Sequence, residues 1–264
     1  MKVSFQFFGL DQASSRLRAA IPWLELKKYG FEPGKDVLVA SKHGYKWTIA
    51  NGFNKLVFDI CDDHFHDSWK AHYLEGCHIA DLITCNSSEM QKIIKENTGR
   101  DAIIIDDPYE DDERDPGFGS ELLWFGHKSN FPDLARVIPT LNKDAELQIV
   151  SNIEGATCWT PQNMDLALKN CGMVILPTGK SMAKSANRMI KALRYGRFVI
   201  AEYLPAYEEI EGPYIGEIAK GIKWALDNPS KVLDRIKQGQ DSIRERFSPK
   251  TIGLKWKDTL LSLT

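Results

Sequence analysis

With 264 residues, 43 % hydrophobic and 27 % charged, the chain has the make-up of a folded globular protein and room for one large domain or two ordinary ones. No apolar run approaches the ~18 residues of a membrane helix, and Met1–Leu10 lacks the charged-then-apolar layout of a secretion signal, so a cytoplasmic protein is expected. A formal charge of −2 excludes nothing, since it averages over unlike regions, whereas five scattered cysteines with no C-x-x-C pair argue for reduced thiols and against a cysteine zinc site.

The pattern predicts a first strand over Val3–Gly9. A small-residue loop, Gly9–Arg16, then enters a helix with Leu17, Ala20, Ile21 and Leu24 on its apolar face, kinked at Pro22. Gly30 and Pro33-Gly34 close that unit. Strands are predicted at Asp36–Ala40, Lys55–Ile60, Leu82–Cys85 and Ala102–Ile105, with helices at Trp69–Ala80 and Ser87–Glu96. Alternation of this kind describes a doubly wound α/β domain. The acidic run Asp106–Asp115, closed by Pro116-Gly117, has linker composition. The rhythm then restarts, with strands at Leu122–Phe125, Leu147–Val150, Thr157–Trp159, Met173–Leu176 and Phe198–Ala201. Helices are expected at Phe131–Ile138, Asn163–Lys169, Ser185–Tyr195, Gly216–Leu226, Ser230–Arg244 and Ile252–Leu263. The expected division is an N-terminal domain over 1–108, a linker over 109–120, a C-terminal domain over 121–246, and a last helix over 247–264 packing back on the first domain. Two such domains facing each other across a cleft would open the loops Gly9–Arg16, Cys61–Asp67 and Gly179–Arg188 towards a ligand.

Met173–Ala201 reads as strand, polar loop, helix and strand. Thr178, Gly179, Lys180, Ser181, Lys184, Ser185, Asn187 and Arg188 surround the start of that helix. Cations there oppose the helix dipole, and an anion such as a diphosphate resolves the conflict. The plain alternative is a solvated basic turn. Cys61-Asp62-Asp63-His64-Phe65-His66-Asp67 is the densest titratable cluster, and three readings stay open. Asp62 or His64 could hydrogen-bond reacting hydroxyls; the Asp and His side chains could ligate a metal, although no second cluster completes a shell; or the loop could simply cap the next helix through Asp67 or Ser68. Lys42, His43, Tyr45, Lys46 and Trp47 form a basic aromatic loop, with Arg16, Arg18, Lys27 and Lys28 on the helix before it. These suit a flat anionic acceptor, or a solvated face with Trp47 in a core.

In order, Ala13-Ser14-Ser15-Arg16-Leu17-Arg18, Val57-Phe58-Asp59-Ile60-Cys61-Asp62-Asp63-His64 and Ala80-Asp81-Leu82-Ile83-Thr84-Cys85-Asn86-Ser87 resemble the GT-B glycosyltransferases. Leu123-Trp124-Phe125-Gly126 and Lys184-Ser185-Ala186-Asn187-Arg188 running to Gly196–Ala201 extend the resemblance over nearly the whole chain, to the large retaining group that uses nucleotide sugars. It implies two Rossmann-like domains, a UDP-sugar donor, no metal and no further cofactor. Lys184, Ser185, Asn187 and Arg188 would bind the diphosphate. Gly126, His127, Asn130 and Trp159 would line the donor pocket, with Ser14, Ser15 and Arg16 reaching it from the first domain. Catalysis would fall to Asp62, His64, Lys184 and Arg188. Acceptor contacts would come from Asp63, Lys42, His43, Tyr45, Lys46 and Trp47, for a hydroxymethylated DNA base or a phosphorylated glycan or lipid.

The family's common form carries two glutamates eight positions apart, where this chain has Ala183 and Lys191. Sugar and ribose contacts would then come from elsewhere, with Glu202, Glu208 and Glu209 as candidates, and the sugar and stereochemistry stay open. Rival readings are a catalytically inactive GT-B scaffold and a nucleotide-sugar epimerase. A nicotinamide enzyme is disfavoured, since Gly9–Arg16 holds one glycine of the G-x-G-x-x-G turn.

Overall fold

The computed structural model describes residues 1–42, 45–142, 146–179 and 181–264. They form two units. One comprises Met1–Glu110, Ala183–Ser185 and Arg246–Thr264; the other comprises Asp111–Met182 and Ala186–Glu245.

The first unit is built on a six-stranded parallel sheet, ordered β2 (Glu32–Pro33), β1 (Lys2–Phe5), β3 (Val37–Ser41), β4 (Lys55–Ile60), β5 (Leu82–Cys85), β6 (Ile103–Ile104). β3 and β4 are continuous buried runs because helices cover both faces. On one face Phe58, Ile60 and Ile83 meet Tyr73, Met90 and Ile94. Tyr73 comes from α3 (Lys70–Ile79); Met90 and Ile94 come from α4 (Ser88–Thr98), whose N-cap Ser87 accepts from the Met90 amide at 3.2 Å. On the other face Val3, Val37, Val39 and Val57 meet Leu26 of α2 (Ile21–Lys28) and Ile252, Trp256 and Leu260 of α10 (Pro249–Leu261).

β1 stops at Phe5, short of the expected Gly9. The short α1 (Ala13–Ser15) continues through a π-helical turn, Arg16–Ala20, into α2. The widened turn falls just before Pro22, which has no N–H to donate to it. Its presence rotates the apolar face: Pro22 and Leu26 are buried, while the expected Leu24 is 58 % exposed.

Arg18 is the buried charge of this unit. Its guanidinium donates to both oxygens of Asp59, at 2.9 and 2.5 Å, and to Asp107 at 3.2 Å, and Thr84 adds a hydroxyl to Asp59 at 2.7 Å. Burial alone would lower the arginine's proton affinity, and the neighbouring carboxylates raise it well above the usual value. The start of the acidic run is therefore tied into the first unit. Asp106 and Asp107 are buried; Asp106 accepts from Lys255 at 2.7 Å and Arg246 at 3.2 Å. Glu110 pairs with Arg16.

The second sheet runs β12 (Tyr214–Ile215), β11 (Phe198–Ala201), β10 (Met173–Leu176), β7 (Leu122–Phe125), β8 (Leu147–Ser151), β9 (Thr157–Cys158), again all parallel. Its order is that of a dinucleotide-binding sheet, with the reversal between β7 and β10. Around it lie α5 (Phe131–Val137), α6 (Pro161–Asn170), α7 (Asn187–Arg194), α8 (Ile218–Asp227) and α9 (Pro229–Arg244). Trp124, Ile175, Phe198 and Ile200 fill its core with Leu134, Ile218 and Ile236. The other half of the acidic run belongs here: Asp111 accepts from Lys191 at 2.6 Å, and Glu113 from Arg194 and Arg244, each at 2.7 Å. Among the described residues no helix is long and apolar enough to cross a membrane.

Arg18→Ala strands the Asp59 and Asp107 carboxylates, and urea unfolding should show a loss of about 3–5 kcal/mol. Burial would raise the Asp106 carboxyl, but Lys255 and Arg246 outweigh it and hold it below the usual range. Its contribution is therefore full above the unfolded value near pH ~4 and fades as pH falls through the depressed folded one. Asp106→Asn should flatten that part of an acid-unfolding curve.

Candidate functional site

In the second unit the carboxy ends of β7 and β10 flank the point where strand order reverses, the usual ligand position in such sheets. Arg188 lies here, in the first turn of α7. Ala186 caps that helix without a side-chain bond, so the first-turn amides have no side-chain acceptor from their cap. The Arg188 guanidinium donates to the Phe125 carbonyl at 3.4 Å and bonds the Tyr207 hydroxyl. Burial pushes that hydroxyl up, and Arg188 holds it partly back. Gly126 leaves space beside the guanidinium: a methyl group there would stand 3.4 Å from Arg188 Nη1 and 3.2 Å from the Trp124 ring. Among the described residues no carboxylate pairs with Arg188.

The other expected donor residues are divided. Gly126 meets Arg188. His127 folds on its own turn, accepting from the Ser129 amide at 3.2 Å, and Asn130 precedes α5. Trp159 follows β9, with its amide on the Ser151 carbonyl at 3.1 Å. α7 begins at Asn187, two residues later than expected, so Lys184 and Ser185 precede the helix and belong to the first unit. The Ser185 hydroxyl bonds Asp107, whose carboxyl burial raises despite Arg18. Ser15 accepts from the Phe8 amide at 3.1 Å and Arg16 is held by Glu110 and the Leu10 carbonyl, so both serve the β1–α1 loop; Ser14 is half-buried beside them.

In the first unit Lys42 takes a left-handed backbone conformation, φ 62°, and pairs with Asp62 at 3.0 Å. Burial would raise the Asp62 carboxyl, yet Lys42 draws it below its ordinary value; burial and Asp62 together push the Cys61 thiol up. Asp63 accepts from the Phe65 amide at 3.0 Å and from His66 at 3.0 Å. Asp67 accepts from the Trp69 amide at 2.7 Å and meets His64 Nδ1 at 2.6 Å. Asp63 and Asp67 thus have the turn-capping role, and Asp62 and His64 remain as the side chains suited to hydroxyls. Among the described residues no group of three or more His, Cys, Asp or Glu could hold a metal.

Trp47 corrects the expected aromatic platform. It is 6 % exposed, stacked on His72 at 4.8 Å and donating to the His72 carbonyl at 3.0 Å, so it is core. Arg18, expected on a basic face, is buried in its ion pair. Tyr45 is half-buried edge-on to Trp47, Lys46 is exposed, and His43 lies outside the described residues. Tyr73 and His72, which the sequence reading passed over, keep a buried hydroxyl and ring nitrogen without partners. Helical spacing alone marks both as packing positions.

No family model and no curated protein matches this chain. Solved structures do. Anabaena HepE with UDP-glucose superposes with TM-score 0.67 at 14 % identity, over 98 % of this chain and 85 % of that one. TarM, a protein of S. aureus, gives 0.62 at 14 % over 91 % and 57 %, so the chain spans little more than half of TarM's length. Sucrose-phosphate synthase from Thermosynechococcus elongatus gives 0.61 at 11 % over 98 % and 80 %. The fold is GT-B.

Against the common GT-B pattern the two departures now have surroundings. Ala183 is 2 % exposed in the first unit's core, where a glutamate would be a buried charge. Lys191 is taken up by Asp111 and lies 5.6 Å from the Tyr195 ring centroid. Of the candidate replacements, Glu208 and Glu209 are exposed, whereas Glu202 is committed: its carboxylate receives Arg136 and the Thr178 amide. Asp63→Ala should cost about 0.5–2 kcal/mol in a denaturant melt, the worth of a capping side chain; no loss would mean that the carboxylate serves something other than the turn.

Proposed function

We propose that the protein is a glycosyltransferase that moves a sugar from a UDP-sugar to an acceptor hydroxyl, with retention of configuration. One observation carries this reading: among the described residues Arg188, a cation at the first turn of α7, has only the neutral Phe125 carbonyl and Tyr207 hydroxyl as partners. Its charge opposes the helix dipole there, and an anionic ligand turns the opposition into a shared attraction. HepE, of the same fold, is a protein solved with UDP and with UDP-glucose, which supports a uridine diphosphate as that anion.

As the sugar–oxygen bond breaks, negative charge collects on the departing diphosphate. Arg188, Lys184 and the first-turn amides of α7 stabilise it, and Asn187 orients it. No metal is needed for this. The leaving phosphate takes the acceptor's proton, so the protein's task on the other side is orientation. Asp62, kept ionised by Lys42, and His64, held through Nδ1 by Asp67, align the acceptor and sugar hydroxyls. Lys42, Lys46 and Tyr45 suit an anionic acceptor, either a hydroxymethylated DNA base or a phosphorylated glycan or lipid. A second reading, a GT-B scaffold without activity, is favoured by Ala183 and Lys191 at the usual glutamate positions.

Release of UDP from UDP-glucose and related donors, followed with and without acceptors, separates the two. An active enzyme releases UDP and a scaffold releases none. Arg188→Ala and Lys184→Ala should each lower turnover by about 10²-fold or more with the fold intact by circular dichroism; full activity in both would remove the diphosphate site.

A further inference from the structure

The loop that leaves β10 is tied down at its second residue, Thr178. Thr178 has three polar atoms, and all are engaged. Its amide donates to Glu202 Oε2 at 2.9 Å, its hydroxyl donates to the Tyr203 carbonyl at 3.0 Å, and its carbonyl accepts from Arg136 at 3.3 Å. Arg136 in turn grips Glu202 with both terminal nitrogens, one of them at 2.9 Å from Oε1. At the next residue the chain runs close to α5: a methyl group on Gly179 would stand 2.4 Å from Asp133 Oδ1, so that side chain would have to shift to admit one. Glu202 itself follows β11, and its amide bonds the Leu176 carbonyl at 3.2 Å. One carboxylate therefore ties the ends of two adjacent strands and the start of the loop to α5.

Burial would raise the Glu202 carboxyl; Arg136 and the Thr178 amide reverse that and hold it below its ordinary value. An ionised acceptor makes the stronger bond to a backbone amide.

We propose that Glu202 is the positioning residue of the donor loop. It sets the direction in which the chain leaves β10, on the same side of the sheet as the first turn of α7 with Arg188. This rests on the proposed function, in which that turn holds the donor diphosphate. Arg136 aims the carboxylate and adds its own bond to the Thr178 carbonyl.

Four forms of the full chain test it: wild type, Glu202→Gln, Glu202→Ala and the exchanged pair Arg136→Glu with Glu202→Arg. Each is measured for amide exchange at Thr178 and Gly179 and for UDP affinity by calorimetry. Glu202→Gln keeps an oxygen for the Thr178 amide and should stay within a few-fold of wild type in both. Glu202→Ala should speed exchange and weaken UDP about tenfold. The exchanged pair restores an ion pair but puts a donor-only guanidinium opposite the Thr178 amide, so it should remain as weak as Glu202→Ala. Wild-type affinity in the exchanged pair, or unchanged exchange in Glu202→Ala, would overturn the proposal and leave an ordinary structural ion pair. A wild-type chain that ignores UDP while Glu202→Ala still speeds exchange would support the tether and sink the donor reading instead.

Discussion

An arginine side chain taken partly out of water needs a counter-charge, and the two units meet that need differently. Arg18 in the first unit finds its counter-charge inside the protein, in Asp59 and Asp107, and becomes a fixed structural pin. Arg188 in the second unit finds, among the described residues, only a carbonyl and a phenol. Its surroundings are otherwise well determined: a helix start behind it, a glycine in front that leaves the guanidinium uncovered, and a strand reversal that opens the sheet edge. A cation so carefully placed and so incompletely neutralised is the feature that turns a GT-B scaffold into a candidate donor site.

The acidic stretch shows how the remaining charges are balanced. Asp106, Asp107 and Glu110 answer cations of the first unit, while Asp111 and Glu113 answer cations of the second. The change of allegiance falls between Glu110 and Asp111, where the first unit ends. Exposed pairs such as Arg244–Glu113 add little to stability. The buried ones fix where the chain runs, and Asp107 also holds the Ser185 hydroxyl just before α7.

Much of this was legible in the residues. Lys55–Ile60, Leu82–Cys85, Leu122–Phe125, Met173–Leu176 and Phe198–Ala201 form strands with the bounds expected, because a strand buried on both faces is a short apolar run between turn residues. The two-residue strands Glu32–Pro33 and Tyr214–Ile215 were not legible, since two residues carry no period. The helix face at Leu24 was misread because a π-helical turn shifts the phase of everything after it. Composition did not mark Asp106 and Asp107 as buried, because the cations beside them, Arg18, Arg246 and Lys255, lie far away in the chain. The anion-binding character of Arg188 was legible, as charge against dipole. The tether at Glu202 was not, because its partners come from α5 (Arg136) and from the end of β10 (Thr178), and only the folded domain brings them together.

A crystal grown with UDP is the most direct measurement. Density for the diphosphate within hydrogen-bonding distance of the Arg188 guanidinium and the first-turn amides of α7, beside Gly126, is the expected result. UDP bound elsewhere on the molecule, with Arg188 still turned only to the Phe125 carbonyl and the Tyr207 hydroxyl, would contradict it.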